Sequence, residues 1–237
     1  MQLAALIVAG GSGSRMGAGV PKQFLPLGGK PILVHTLRRF LAFDPGLLIV
    51  LVLSEDSFNH WQHLGPRHLS EDDLGRISLC PGGESRTQSV FMGLQRLAAQ
   101  VRDPADCLVA IHDGVRPFAT EALIAGTYRQ TTPDEGAVAC VPVKASLRRQ
   151  APYGKSQAVD RSQYLEVQTP QTFVLSQILA AYRQRPHDAF SDDASLFEAQ
   201  GGRIRICEGS YDNIKITTPE DLFVGERILA RQSKLAE

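Results

Sequence analysis

Glycines, two cations and one strand-end carboxylate carry most of the chemistry legible in this chain. Residues 10–17 read Gly-Gly-Ser-Gly-Ser-Arg-Met-Gly, directly after an apolar run, and Pro21-Lys22 follows. Exposed backbone N–H groups in such a loop, with Arg15 and Lys22 beside them, suit a triphosphate because donors and cations converge on anionic oxygens. The loop lacks the G-x-x-x-x-G-K-[ST] order of a Walker loop. It also departs from a dinucleotide fingerprint: its last glycine comes one residue late, and no acidic residue stands about 20 positions on. A tight turn without a ligand is the other reading of these glycines.

His112-Asp113-Gly114-Val115-Arg116-Pro117 closes a second apolar run. In an open parallel sheet, ligands bind beyond the carboxyl ends of the strands, so Asp113 would share an edge with the glycine loop. A carboxylate there offers a Mg²⁺ ligand, since Mg²⁺ is commonly held by one or two carboxylates and substrate phosphates. The alternative is an Asp that caps a turn. His112 reads as an orienting or packed residue and not as a base. Pro81-Gly82-Gly83-Glu84-Ser85-Arg86-Thr87-Gln88-Ser89 follows another strand and opens a helix. It would bring amides and hydroxyls to a nucleotide, or serve only as a Ser-capped turn. Asp212-Asn213-Ile214-Lys215 follows the last strand candidate. His60 and His63 share a helix face with His68 nearby, but no Cys or carboxylate framework supports a metal site there.

The elements that must position these residues alternate in type. Near-continuous apolar runs at 3–8, 47–53, 76–80, 107–112 and 137–143 predict strands covered on both faces. Between them, Leu33, Leu37 and Phe40 share one helical face, and Val90, Leu94, Leu97 and Val101 share another. This alternation predicts an α/β fold with a mainly parallel sheet flanked by helices. The pattern breaks at residues 144–168, which are polar and carry Ala151-Pro152-Tyr153-Gly154. This segment reads as a projecting β-arm, or else as a surface loop. Helical signals return at 176–184 and 192–200, a strand signal at 203–207, and Thr218-Pro219-Glu220-Asp221 is a helix start. One domain over residues 1–237 with an arm is the simplest organisation.

The chain has 25 Lys plus Arg and 25 Asp plus Glu, so no global field favours nucleic acid or an acidic membrane, and an anion site must be local. Its apolar runs are too short to cross a bilayer. The N-terminal run reads as a core strand and not a signal peptide, because no basic region precedes it. Cys80, Cys107, Cys140 and Cys207 are scattered and read as reduced, buried thiols of a cytoplasmic protein.

The blocks AGGSGSRMG, PKQFLPLGGKPI, GGESRTQSV, HDGVRPF, VDR, QTPQTF, DDA and DNIKITTPEDL run in this order through nearly the whole chain. Together they resemble the 2-C-methyl-D-erythritol 4-phosphate cytidylyltransferases of non-mevalonate isoprenoid biosynthesis. The resemblance implies a Rossmann-like nucleotidyltransferase fold and a homodimer clasped by the arm. It implies transfer of CMP from CTP to the polyol phosphate, with Mg²⁺ as cofactor. By position, Arg15 and Lys22 match the cations at the α-phosphorus, and Asp113 matches the Mg²⁺ ligand. Arg161 and Lys215 match residues that position the acceptor phosphate, the arm arginine reaching the partner's site. Ala9, Gly10, Gly11, Ser12 and Gly13 match the nucleotide loop. Gly82, Ser89 and Gly114 match positions near cytosine and ribose, and Ser146, Thr169 and Asp212 match acceptor contacts. Related proteins often carry Asp where Ala145 stands, Thr or Ser at the position of Ser146, and Thr where Ser191 stands.

Three rival readings follow from the same residues. A cytidylyltransferase for another polyol phosphate, such as D-ribitol 5-phosphate, would share the loop and the HD-x-x-RP block. An NAD-dependent oxidoreductase is opposed by the late glycine and the missing acid. A non-catalytic nucleotide-binding regulator would not need Arg15, Lys22 and Asp113 together.

Overall fold

Pattern and observation agree first on the central sheet. The computed structural model describes residues 1–10, 20–184 and 190–235. In chain order the elements are β1 (Gln2–Ala9), β2 (Pro26–Leu27), β3 (Lys30–Pro31), α1 (Ile32–Phe43), β4 (Leu48–Leu53), α2 (Glu55–His68), α3 (Glu71–Gly75) and β5 (Ile77–Pro81). Then come α4 (Arg86–Ala98), β6 (Cys107–Asp113), α5 (Glu121–Gln130), β7 (Glu135–Pro142), β8 (Arg148–Gln150) and β9 (Ser156–Ala158). The chain continues through β10 (Leu165–Val174), α6 (Leu175–Gln184), α7 (Asp193–Glu198), β11 (Arg203–Glu208) and α8 (Pro219–Leu235).

Seven strands form one sheet in the order β11-β7-β10-β6-β1-β4-β5. All pairings are parallel except those of β10, which runs antiparallel to β6 and β7. The strand order reverses direction about β1, with β4 on one side and β6 on the other. That is the crevice where doubly wound sheets bind ligands. The register Val8↔Asp113 sets the end of β1 beside the end of β6. Leu53↔Pro81 does the same for β4 and β5.

Both sheet faces are covered, which explains why these strands are apolar without alternation. Leu6, Val52, Ile111 and Phe173 pack under α4, α6 and α7 with Val90, Leu94, Tyr182 and Phe197. Ile7, Leu51 and Ala110 pack under α1, α2 and α5 with Leu37, Phe40, Trp61 and Ile124. Each such Leu, Ile or Phe contributes about 1.5–3 kcal/mol by leaving water. Gly93 lets α4 approach closely, since a Cβ there would stand 2.4 Å from Leu6 Cδ1. A third cluster joins Leu27, Ile32, Val115, Phe118, Ile216 and Ile228. It ties the turn after Lys22, the turn after Asp113 and the residue after Lys215 to α8. Three site-bearing segments thus share one small core.

β10 departs from the pattern reading. Residues 165–168 belong to this central strand and not to the arm, pairing Leu165↔Pro142, Glu166↔Val141 and Val167↔Cys140. The projecting part is the exposed hairpin β8–β9, whose tip has Tyr153 and Gly154 at positive φ. The four cysteines are buried and free. His60 and His63 each bond a carbonyl of their own helix, Asp56 and Asn59 respectively. Among the described residues no helix is long and apolar enough to cross a membrane.

Candidate active site

Carboxyl ends of β1, β5 and β6 bring the sequence-selected residues together. Gly114 donates its N–H to the Val8 carbonyl at 2.8 Å, and Gly82 donates to Leu53 at 2.7 Å. A Cβ on Gly114 would meet Ala9 Cβ at 2.9 Å and Val8 O at 3.2 Å, so the β1–β6 approach requires glycine. Ser89, buried on the first turns of α4, accepts from the Gly83 N–H at 3.0 Å. Ser85 caps α4, accepting from Gln88 N–H at 3.1 Å. Lys22 opens a single 3-10 turn, Lys22–Phe24. The buried Gln23 pins that turn to β1 by donating to the Ala9 carbonyl at 2.8 Å.

Asp113 ends β6 almost fully buried. Its Oδ2 lies 3.1 Å from Lys215 Nζ and 3.3 Å from Arg116 Nε, and its Oδ1 lies 3.9 Å from Arg86 Nε. Burial alone would push this carboxyl up. The Lys215, Arg86 and Arg116 charges outweigh burial and hold it well below the usual carboxylate range. Behind it, the Asp113 N–H donates to Thr169 Oγ1 at 3.1 Å. His112 Nε2 lies 3.0 Å from the Arg116 carbonyl, so Nε2 carries the proton and Nδ1 accepts from the Thr169 hydroxyl at 3.0 Å. Burial drives His112 down to about 4, against the upward pull of its Arg116 hydrogen bond. The imidazole is therefore neutral at pH 7, with both nitrogens engaged.

Lys215 is delivered by the loop after β11. Asn213, fully buried, donates to the Thr169 carbonyl at 2.8 Å, and its own carbonyl accepts from Arg116 Nη1 at 2.7 Å. Gln168 donates to Ser210 O at 2.8 Å. Past Lys215, Asp221 of α8 accepts from the N–H groups of Thr217 and Thr218 at 2.8 and 2.9 Å.

Two cavities lined by described residues meet at Asp113 on this edge. One, of about 480 Å³, is lined by Ala9, Gly10, Lys22, Ser89, Asp113 and Lys215 among others. The other, of about 500 Å³, is lined by Arg116, Gln168, Thr169, Gln171, Asp192 and Asp113 among others. They share Arg86, Asp113 and Lys215. A glycine-edged pocket and a pocket of mixed polar and apolar lining thus meet at one carboxylate ringed by three cations. Such an arrangement can hold two phosphate-bearing molecules against each other.

The model of the 2-C-methyl-D-erythritol 4-phosphate cytidylyltransferase (IspD) family matches residues 3–231. The chain belongs to that family. A 2-C-methyl-D-erythritol 4-phosphate cytidylyltransferase of Bacteroides thetaiotaomicron is 43% identical over 230 residues, spanning 97% of this chain and 100% of that one. Its counterpart in Porphyromonas gingivalis is 44% identical over 227 residues, 95% of this chain and 96% of that one. The crystal structure of 4-diphosphocytidyl-2C-methyl-D-erythritol synthase from Anaerococcus prevotii superposes with a TM-score of 0.80 at 27% identity, covering 97% of this chain and 96% of that one. The Thermus thermophilus cytidylyltransferase structure gives a TM-score of 0.72 at 29% identity, covering 98% and 100%. The chain is therefore a nucleotidyltransferase enzyme, and its mostly parallel sheet with flanking helices is that of its relatives.

Within this family frame, the residues chosen from sequence fall into four groups. Ala9, Gly10, Lys22, Ser89, Asp113 and Lys215 line the first cavity, with Gly82 and Gly114 packed directly behind its wall. Thr169 lines the second. Arg161 and Ser146 are exposed and line neither cavity of their own chain; Arg161 donates to the Lys144 carbonyl. Asp212 also lines neither, and its carboxylate is engaged by Arg231 of α8. Gly11, Ser12, Gly13 and Arg15 lie outside the described residues. Sequence reasoning gave no role to Arg86, Arg116, Gln171 or Asp193, although they stand inside the GGESRTQSV, HDGVRPF, QTPQTF and DDA blocks respectively.

Proposed function

We propose that the chain transfers the cytidylyl group of CTP to 2-C-methyl-D-erythritol 4-phosphate and releases pyrophosphate. The junction of two cavities at Asp113, Arg86 and Lys215 carries this reading, and membership of the family supports its choice of substrates. An acceptor phosphate oxygen forms a bond to the α-phosphorus in line with departure of the bridging oxygen, whose electron pair leaves on pyrophosphate. A phosphate monoester has a second pKa near 6 and arrives mostly as a dianion, so no general base is needed. The neutral, doubly bonded His112 is consistent with that.

Charge is the obstacle, because a dianion must approach a tetra-anion. In this reading Lys22 and Arg15 hold the triphosphate, with the amides of Gly10, Gly11, Ser12 and Gly13. Gly82, Ser89 and Gly114 border the base and ribose. Lys215 and Arg116 draw the acceptor phosphate toward Asp113. Asp113 fits a substrate-borne Mg²⁺: Oδ2 is spent on Lys215 and Arg116, while Oδ1 is 3.9 Å from Arg86, longer than a hydrogen bond. No group of three or more His, Cys, Asp or Glu ligands occurs among the described residues, so the phosphates would supply the remaining oxygens. When bound, Mg²⁺ would neutralise phosphate charge.

The exposed hairpin and the position of Arg161 support a homodimer in which each arm completes the partner's acceptor site, with Ser146 at its base. Four free thiols support a cytoplasmic setting. The test is pyrophosphate release from CTP and Mg²⁺ with 2-C-methyl-D-erythritol 4-phosphate or D-ribitol 5-phosphate in parallel. Release with the former and little with the latter is expected. Preference for ribitol phosphate, or no release with either, would overturn the assignment.

A further inference from the structure

Arg86 is held as a fixed tool, not as a surface charge. Its Nη1 and Nη2 donate to Asp193 Oδ1 and Oδ2 at 2.8 and 2.7 Å. The Tyr182 hydroxyl donates to the same Asp193 Oδ1 at 2.5 Å, and Tyr182 is itself stacked against Phe91. Asp193 is in turn fixed by its place in α7, whose cap Asp192 accepts from Gln171 at 2.9 Å. Exposure across the ion pair is one-sided: the Asp193 side chain is 0% exposed and that of Arg86 is 32% exposed. The open side faces the reaction centre, because Arg86 lines both cavities and its Nε lies 3.9 Å from Asp113 Oδ1.

A tether between α4 and α7 would not need this. Two charges taken from water cost several kcal/mol, and apolar residues of similar volume often serve packing as well. A guanidinium carries five N–H donors in one plane. Two are committed to Asp193, which leaves Nε–H and one N–H on each terminal nitrogen. A bidentate carboxylate behind a planar fork fixes the direction of the remaining donors, as phosphate recognition requires.

We propose that Arg86 is a catalytic residue, whose remaining N–H groups contact phosphate oxygens where nucleotide and acceptor meet, while Asp193 and Tyr182 are the positioning residues that aim it. This rests on the transfer reaction proposed above. The donors stabilise charge that accumulates between the two phosphates in the transition state, and they do so without reorganisation. Lys215 shares the junction with Arg86, on the Oδ2 side of Asp113, whereas Lys22 lines the first cavity alone.

The experiment is steady-state kinetics by pyrophosphate release on the full chain, with Arg86→Lys, Arg86→Ala and Tyr182→Phe. Native activity is measured first: an inactive native chain overturns the transfer reading and this assignment with it. With an active native chain, folded Arg86→Lys is expected to lose about 10²-fold in kcat, as for removal of one preorganised donor elsewhere. The kcat of Arg86→Ala should recover in part when guanidinium ion is added, a response that a merely structural arginine would not give. Tyr182→Phe removes one hydroxyl and should lower kcat several-fold with KM for CTP unchanged. A folded Arg86→Lys within about threefold of native kcat overturns the assignment. So does absence of rescue. If neither Arg86 variant folds, Tyr182→Phe decides, and native kcat in that variant overturns the proposal.

Discussion

Replacing Thr169 by Val should destabilise the chain far more than an isosteric exchange usually does. Thr169 is buried, and its hydroxyl serves two neighbours at once: it accepts from the Asp113 N–H at 3.1 Å and donates to His112 Nδ1 at 3.0 Å. Valine fills the same volume and offers neither bond. Moving the His112 proton to Nδ1 would not help, because Nε2 would then face the Arg116 carbonyl without a hydrogen. The Asp113 N–H and His112 Nδ1 are both left buried without partners. Each orphan costs about 1–3 kcal/mol, so the expected loss is about 2–6 kcal/mol. For a chain of this size, at about 2–4 °C per kcal/mol, that corresponds to a fall in Tm of about 4–24 °C. Urea unfolding followed by circular dichroism measures it, with Thr169→Ser as the control that keeps the hydroxyl. A loss below about 1 kcal/mol for Thr169→Val would refute the relay. Activity should fall too, because the same hydroxyl sets the backbone that carries Asp113.

Three further outcomes are expected. Lys22→Ala should lower kcat by about 10²–10³ in pyrophosphate release at saturating substrates; near-native kcat would remove Lys22 from the transition state. Arg161→Ala should raise KM for the acceptor more than KM for CTP, and equal rises would contradict an arm that serves the acceptor. Asp221→Ala should cost about 1 kcal/mol at pH 7, because Asp221 is the capping-box partner of Thr218 and accepts from the N–H groups that precede α8. Burial opposes the Asp221 charge, but hydrogen bonds from Thr217 and Thr218 win and hold its pKa below the usual value. Its stabilisation is therefore present above the unfolded pKa and lost as pH falls through the folded one. The gap between native chain and variant should close on acidification below about 4 in urea titrations; a gap that widens contradicts the sign.

The parallel half of the sheet was legible because burial on both faces writes itself as apolar runs: β1, β4, β5 and β6 coincide with runs read from composition alone. β10 was not, for two reasons. Pro170 lies inside it, and proline argues against a central strand; here the register shift between Val167 and Gln171 accommodates the break. Its buried residues are also largely polar. Thr169, Gln171 and Thr172 are satisfied by His112, Asp192 and Thr127 respectively, contacts 21 to 57 residues away in sequence. No periodicity encodes such pairings. The same blindness hid Arg86, whose meaning depends on an aspartate 107 residues on. By contrast Asp113 and Gly114 were readable, because a strand end followed by glycine predicts a ligand edge whatever lies across it.

The most direct test of transfer at the Asp113 junction follows the oxygen atoms. Acceptor carrying ¹⁸O in its phosphate is incubated with CTP, Mg²⁺ and the chain, and products are weighed by mass spectrometry. Attack of the acceptor phosphate on the α-phosphorus places all label in the cytidine diphosphate-linked alcohol, one labelled oxygen becoming the bridge, and leaves pyrophosphate unlabelled. Label in pyrophosphate, or free CMP with an unmodified acceptor, would contradict the account.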